Sequence, residues 1–129
     1  AAKYDYSYAK AVVLQKLNRY AEARKAAYDA ISFDGTQGEP YILIATLYAD
    51  SNPFGDDKIL AKTVFWAAVD KLEKAKSVDP GCGGTTQPII NSYRHHYPSK
   101  EDVFFKPELK LGSMFHIGGW INEDVRCRE

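Results

Sequence analysis

The chain has 129 residues, 45% of them apolar, and its 17 lysines and arginines are matched by 17 aspartates and glutamates. A chain of that length makes one domain, and folding buries roughly two thirds of its unfolded surface without a disulfide or metal staple. The two signs of charge are interspersed, which leaves no basic footprint for nucleic acid and no polybasic run for an anionic membrane; no apolar segment approaches the roughly 20 residues that span a bilayer.

The chain opens at Ala1-Ala2-Lys3 with neither an initiator methionine nor a signal peptide, as expected of a mature product or of a piece of something longer. Tyr4 to Leu17 reads as a first helix, with Tyr8, Ala11, Val12 and Gln15 on one side and Leu14 close to Ala11 and Leu17. After a short break at Asn18-Arg19, a second helix runs from Tyr20 to about Phe33. Its Ala23, Ala26, Ala27 and Ala30 form a small-residue face that admits another helix closely. So short a connection makes the two helices antiparallel.

Asp34 to Glu39 is turn chemistry, and Pro40 suits the first turn of a third helix that continues to about Ala49. This helix is apolar enough to be covered on more than one side. Asp50 to Asp57 is a loop rich in breakers. The longest pattern follows, from Ile59 to Pro80. Ala61, Val64, Phe65, Ala68, Leu72 and Ala75 recur at steps of three and four and make one apolar stripe. The helix is expected to run out at Asp79-Pro80-Gly81 and to pair back onto the third. Gly81 to Gly84 reads as flexible. Thr85 to Tyr97 reads as a fifth helix beginning near Thr86 or Gln87, since Pro88 is tolerated only in a first turn.

Beyond Pro98 the pattern changes. Ser99 to Asp102 has the spacing of a capping box and opens one short turn through Phe105. Gly112 to Arg128 alternates and is expected to form a two-stranded hairpin turning at Asn122-Glu123-Asp124, with Gly118-Gly119 as a bulge. An alternative puts the turn at Gly118-Gly119. A lone hairpin is marginal in water, so it must pack on the helices. The division is thus a helical domain over 1–98 and a tail over 99–129.

Candidate sites are few. His95 and His96 are adjacent on a helix and point about 100° apart, so they cannot chelate one ion as an i, i+4 pair does. His116 is distant in sequence. Asp56-Asp57 lacks the ligand spacing of a calcium loop and suits a helix N-cap. Cys82 and Cys127 have no CxxC spacing; they are either two thiols or a disulfide that needs the tail to fold back. No serine, cysteine or threonine sits in a nucleophile context, and neither Gly118-Gly119 nor Gly81 to Gly84 is a phosphate loop. No enzymatic activity, cofactor or metal is therefore expected. Trp66 and Val69 fall off the main stripe of the long helix. They are covered by the fifth helix or the tail, or they form a partner-docking patch with Trp120.

The two helix pairs share a layout, each ending in Asp-Gly or Asp-Pro. In the first, Ala11, Leu14, Tyr20, Ala23, Ala30 and Gly35 fall at repeat-signature places, with Ser7 in place of an early aromatic and Gly35 in place of a closing proline. In the second, Tyr41, Ile44, Ala45 and Tyr48, then Ala68, Leu72, Ala75 and Pro80, fall at matching places, with a longer loop and an extended second helix. Over roughly Tyr4 to Pro80 the chain resembles the tetratricopeptide repeat. The stretch PSKEDVFF…GGWINEDVR is similar to the C-terminal tail of certain bacterial, cell-envelope members of that family, which points to a periplasmic or cell-envelope location.

The resemblance implies an all-α fold of antiparallel helix pairs, about five helices of a solenoid, closed by the small β-hairpin. It also implies a concave face, made by the first helix of each pair, that binds a peptide or protein. Carried over by position, the groove residues are Tyr8, Val12, Gln15 and Lys16, then Ile42, Thr46 and Ala49. With a single cation among them, they lack the clamp that captures an acidic C-terminal tail. Repeat stacks need about three units and a polar cap. The tyrosines at 4, 6 and 8 therefore suggest an open end that meets a neighbouring repeat or a second copy. The readings carried forward are a non-enzymatic protein-interaction scaffold, a structural element that stacks or self-associates, and a carbohydrate-binding accessory unit using Trp120.

Overall fold

A computed structural model describes residues 1–129. It is 62% helical, with a small two-stranded antiparallel sheet near the C-terminus. Helix α1 (Ala2–Lys16) ends in a left-handed residue, Asn18 at φ 59°. There the Arg19 amide reaches back to the Leu14 carbonyl (2.9 Å) and the Asn18 amide to that of Gln15 (3.0 Å). This six-to-one closure stops the helix and turns the chain into α2 (Tyr20–Phe33). Ala23, Ala26, Ala27 and Ala30 of α2 are buried, and Ala11 and Leu14 of α1 are buried with them. Small side chains let the two backbones approach closely.

Helix α3 (Glu39–Ala49) buries Pro40, Leu43, Ile44, Ala45, Leu47 and Tyr48 and is enclosed on several sides. Its start is fixed by a close approach. A Cβ on Gly38 would stand 2.9 Å from Cys82 Sγ and 3.3 Å from the Ala75 carbonyl oxygen. In the space this leaves, the Gly38 amide donates to Asp79 Oδ2 (3.1 Å). Gln15 Nε2 donates to Thr46 Oγ1 (2.9 Å), while Tyr8, two turns earlier on α1, faces Glu39 at the start of α3. Two such contacts in the same order make α1 and α3 parallel neighbours. Arg24 near the start of α2 meets Tyr48 near the end of α3, so those two run in opposite directions.

The long helix expected over Ile59–Pro80 is interrupted. A four-residue helix α4 (Lys58–Ala61), N-capped by Asp57, leads through Lys62-Thr63 into α5 (Val64–Val78). Thr63 is buried, and its hydroxyl donates to the Leu60 carbonyl (2.6 Å). The local backbone bonds tighten to three-residue steps, Thr63 to Leu60, Phe65 to Lys62 and Trp66 to Thr63. This hydroxyl bond competes with regular helix continuation. Beyond the break the first half of α5, Val64 to Val69, is buried nearly all round. The helix packs against α3 on one side and against the following helix and the tail on the other, with Asp70, Glu73, Lys74 and Ser77 exposed. Trp66 and Val69 lie in that second contact. Both are buried, which agrees with the reading that they are covered, and they offer no surface for the alternative docking patch.

Helix α5 ends at Val78. Gly81 to Gly84 is not a flexible link: a 3-10 turn (Pro80–Cys82) passes directly into α6 (Gly83–Arg94). Pro88 therefore stands in the second turn. It is tolerated because both its ring and the carbonyl of Gly84, which loses its partner, face solvent. Both cysteines are free thiols; Cys82 is half-buried, and burial pushes the Cys127 thiol up.

In the tail, Ser99 and Asp102 form a reciprocal capping box that opens α7 (Lys100–Phe105). Strands β1 (Met114–Ile117) and β2 (Glu123–Arg126) pair antiparallel, with Phe115 opposite Val125 and Ile117 opposite Glu123. The turn is Gly118 to Asn122, with left-handed φ at Gly119 and Asn122. It spans the alternative position at Gly118-Gly119. Glu123 and Asp124, expected in the turn, are strand residues, and Gly118-Gly119 is no bulge. Ile117, Ile121 and Val125 join the same hydrophobic cluster as Ala11, Ile44 and Leu72, so tail and helices share one core.

Two arginines fasten the tail. Arg24 Nη1 donates to Tyr48 Oη (2.9 Å) and to the Ile121 carbonyl (2.7 Å), Nη2 donates to the Trp120 carbonyl, and the guanidinium lies 4.9 Å from the Trp120 ring centroid. Arg128 Nη2 donates to the Trp66 carbonyl (3.0 Å), the Trp66 indole donates to the Arg128 carbonyl (3.2 Å), and Arg128 Nη1 meets Asp70 (2.8 Å). Replacing Arg24 by alanine removes the donor for three acceptors at once and is expected to cost about 2–4 kcal/mol. Urea unfolding would measure it, with loss of tail amide protection before the helices in hydrogen exchange.

Lys106 and Lys62 add ion pairs from the tail to α4, with Asp57 and Asp102. The amide of Leu60 and then Lys106 hold the Asp57 carboxyl below its usual value of 3.8; the amide of Ser99 and then Lys62 do the same for Asp102. Groups that ionise more readily when folded add stability that is complete above their unfolded value and lost as pH falls below it. The melting temperature is therefore expected to drop as pH passes below 3.8. Asp57→Asn, which keeps the cap but not the ion pair, should make that drop smaller; an unchanged acid limb in thermal scans would count against it.

Candidate functional site

Parallel packing of α1 and α3 leaves an open groove of about 480 Å³ between them, lined by Tyr8, Val12, Gln15, Glu39, Ile42, Leu43, Thr46 and Thr85. Five of the seven residues carried over from the repeat pattern come together here: Tyr8, Val12, Gln15, Ile42 and Thr46. They do so because residues three or four apart share one helix face, and both helices turn that face the same way. Lys16 and Ala49 are not among the lining residues. Lys16 follows Gln15 by one position, about 100° round the helix, and is exposed. Ala49 closes α3 and packs against the core.

Glu39, Leu43 and Thr85 were not anticipated. Glu39 precedes Ile42 by three positions, so extending the stripe of the third helix back by one turn would have found it. Thr85 enters because α6 begins at Gly83 rather than near Thr86, which makes its first turn a third wall.

The chemistry of the groove is uneven along its length. At one end the Tyr8 phenol is raised by burial and by the Glu39 carboxylate, and the Tyr4 ring stacks parallel on Tyr8 at 6.1 Å. Tyr4 itself is raised to about 12, first by burial and then by Glu39. Val12 and Ile42 make an apolar middle. At the other end Gln15 and Thr46 are joined by their hydrogen bond, and the Thr46 hydroxyl in turn donates to the Leu43 carbonyl (2.7 Å). A concave, mostly apolar lining with a few convergent polar groups is what a ligand site requires.

The remaining candidates are dispersed. Trp120 is half-buried, its ring held by Tyr48 (5.5 Å), Tyr20 (6.1 Å) and the Arg24 guanidinium. His96 stacks on Phe65 at 4.9 Å, and His116 Nδ1 lies 2.7 Å from Asp124 across the hairpin. No group of three or more His, Cys, Asp or Glu side chains is placed to hold a metal ion. No helix is long and apolar enough to cross a membrane. At the outer edge of α1 and α2 a second concavity, of about 590 Å³, is lined by Ala2, Lys3, Tyr6, Ser7, Asp29 and Phe33. Tyr6 there is 70% exposed and Phe33 50%. No family model, curated protein or solved structure matches the chain.

Proposed function

We propose that the protein is a non-enzymatic interaction scaffold built from two tetratricopeptide-like helix pairs, α1 with α2 and α3 with α5, that binds a peptide or partner protein in the groove between α1 and α3. The observation that carries this reading is the convergence of Tyr8, Val12, Gln15, Ile42 and Thr46, five positions carried over from the repeat pattern, on one open concavity. The parallel relation of α1 to α3 supports the repeat assignment, because first helices of successive repeats are neighbours in such a stack. The groove offers no nucleophile, base and orienting group in hydrogen-bonding sequence, and its polar atoms suit a peptide main chain.

A second reading is assembly through the outer edge of α1 and α2, onto a neighbouring repeat or a second copy. The exposed Tyr6, Val13, Leu17 and Phe33 favour it. The two readings separate by mutation. Binders selected from a displayed library of short random peptides should lose affinity by about tenfold or more on Tyr8→Ala or Gln15→Ala, the scale of an interface anchor. Oligomeric state by light scattering should not change, and helix content should be kept with a loss in melting temperature of the size that one lost hydrogen bond or one half-buried side chain brings. If the selected peptides bind both variants as well as the parent, the groove assignment is wrong. Concentration-dependent association that Tyr6→Glu abolishes would instead support the edge.

A further inference from the structure

We infer that the segment the groove accepts carries a lysine or arginine, its cation seated at the exposed Glu39 carboxylate beside the Tyr8 ring and its neighbouring apolar side chain over Val12 and Ile42. This inference rests on the groove reading above and adds the chemistry of the occupant. Glu39 is the one charged side chain lining the groove, and no salt bridge engages it. An exposed carboxylate with no cation of its own is available to one from outside.

The surroundings reinforce its sign. Asp34 and Asp5 act with Glu39 on the same tyrosine, Tyr4, so three carboxylates stand at this end, with the N-terminal ammonium close enough to act on Asp34. Hydrogen bonds from Thr36 and Gln37 hold the Asp34 carboxyl down and keep it ionised. The Tyr8 phenol is held in its neutral form by burial and by the Glu39 carboxylate that its hydroxyl meets, and the Tyr4 ring stacks on it, which puts two aromatic rings beside the carboxylate. Aromatic faces and a carboxylate together are the recognition chemistry of an ammonium or guanidinium group. A segment offering a carboxylate or phosphate here would meet Glu39 with no lining cation to receive it. Charge complementarity therefore selects a basic peptide over an acidic tail or an anionic lipid surface.

The remaining polar contact fits an extended main chain. Gln15 spends one amide hydrogen on Thr46, leaving its second hydrogen and its carbonyl for a peptide backbone.

The test uses four acetylated, amidated peptides of alternating valine and glutamine whose central residue is lysine, arginine, norleucine or glutamate. They are titrated into the whole chain and followed by the amide shifts of α1 and α3. The lysine and arginine peptides should shift the signals of Tyr8, Val12 and Ile42. Norleucine should bind about tenfold more weakly, glutamate weaker still, and Glu39→Gln should weaken the lysine peptide by about the same factor, an exposed change that leaves the core intact. If norleucine or glutamate binds as well as lysine at those same signals, or Glu39→Gln changes nothing, cation selection is overturned and the groove stands. If no peptide moves those signals, or the lysine peptide moves others, the groove reading fails and this inference with it.

Discussion

The arrangement depends on one chain of hydrogen bonds that crosses the molecule from α2 to the tail. Arg24 donates to the Tyr48 hydroxyl, that hydroxyl donates to Glu123, and Lys71 closes on the same carboxylate at 3.1 Å. Burial and the bond to Glu123 push the Tyr48 phenol far up, so it stays neutral and can both accept and donate. Desolvation alone would lower Lys71, but the Glu123 carboxylate and the Tyr28 phenol together outweigh it and the ammonium is favoured. Lys71 meets the carboxylate directly, Arg24 reaches it through the Tyr48 hydroxyl while holding two main-chain carbonyls, and no buried side-chain polar atom is left without a partner. Such a network stabilises only when complete, because each missing member strands another in a poor dielectric.

This network explains why a two-stranded hairpin too small to be stable alone persists here. Its buried face, Ile117, Ile121 and Val125, contributes apolar burial to the helical core, while Arg24 fixes the turn through the carbonyls of Trp120 and Ile121. Trp120 is thereby tied into the attachment of the tail, its ring between aromatic neighbours and a guanidinium. Trp66 is tied in the same way through Arg128 and the edge of Tyr97. The two tryptophans, the most conspicuous residues for a binding role in the sequence, both contact the arginines that hold the tail. Neither lines the groove.

Much of this could be read from residue spacing, and the exceptions have identifiable causes. The bounds of α2, the end of α5 at Val78 and the capping box at Ser99 follow from local chemistry, and the sequence carried them plainly. The break at Lys62-Thr63 did not announce itself, because Thr63 is compatible with a helix until its hydroxyl turns back on Leu60 in a buried setting. The helical wheel drawn through that break then put Trp66 and Val69 on an outer face that tertiary packing covers. Pro88 misled in the opposite direction: its cost in a second turn is moderated by solvent exposure, which sequence does not state. The hairpin turn shifted because Glu123 is drawn into the strand by Tyr48 and Lys71, partners many residues away. In the groove, helix periodicity located five lining residues, whereas Glu39 and Thr85 depended on where α3 and α6 begin.

The position of Glu39 is itself a consequence of packing one residue earlier. Gly38 lies against Cys82, Asp79 and the Ala75 carbonyl with no room for a Cβ, and its amide is held by the Asp79 carboxylate. Those contacts pin the first turn of α3 to the end of α5 and the 3-10 turn that follows. The same 3-10 turn launches α6, which brings Thr85 to the groove. One close approach at a glycine thus sets two of the groove's three walls, while Gln15 and Thr46 fix the third against α3 at its far end. A groove whose walls are set by backbone contact and buried packing changes little in shape when a segment enters, so little ordering cost opposes binding. In the proposed peptide-binding role, that rigidity would suit recognition by fixed charge and fixed apolar surface, the carboxylate at one end and the amide at the other setting which way an extended segment lies.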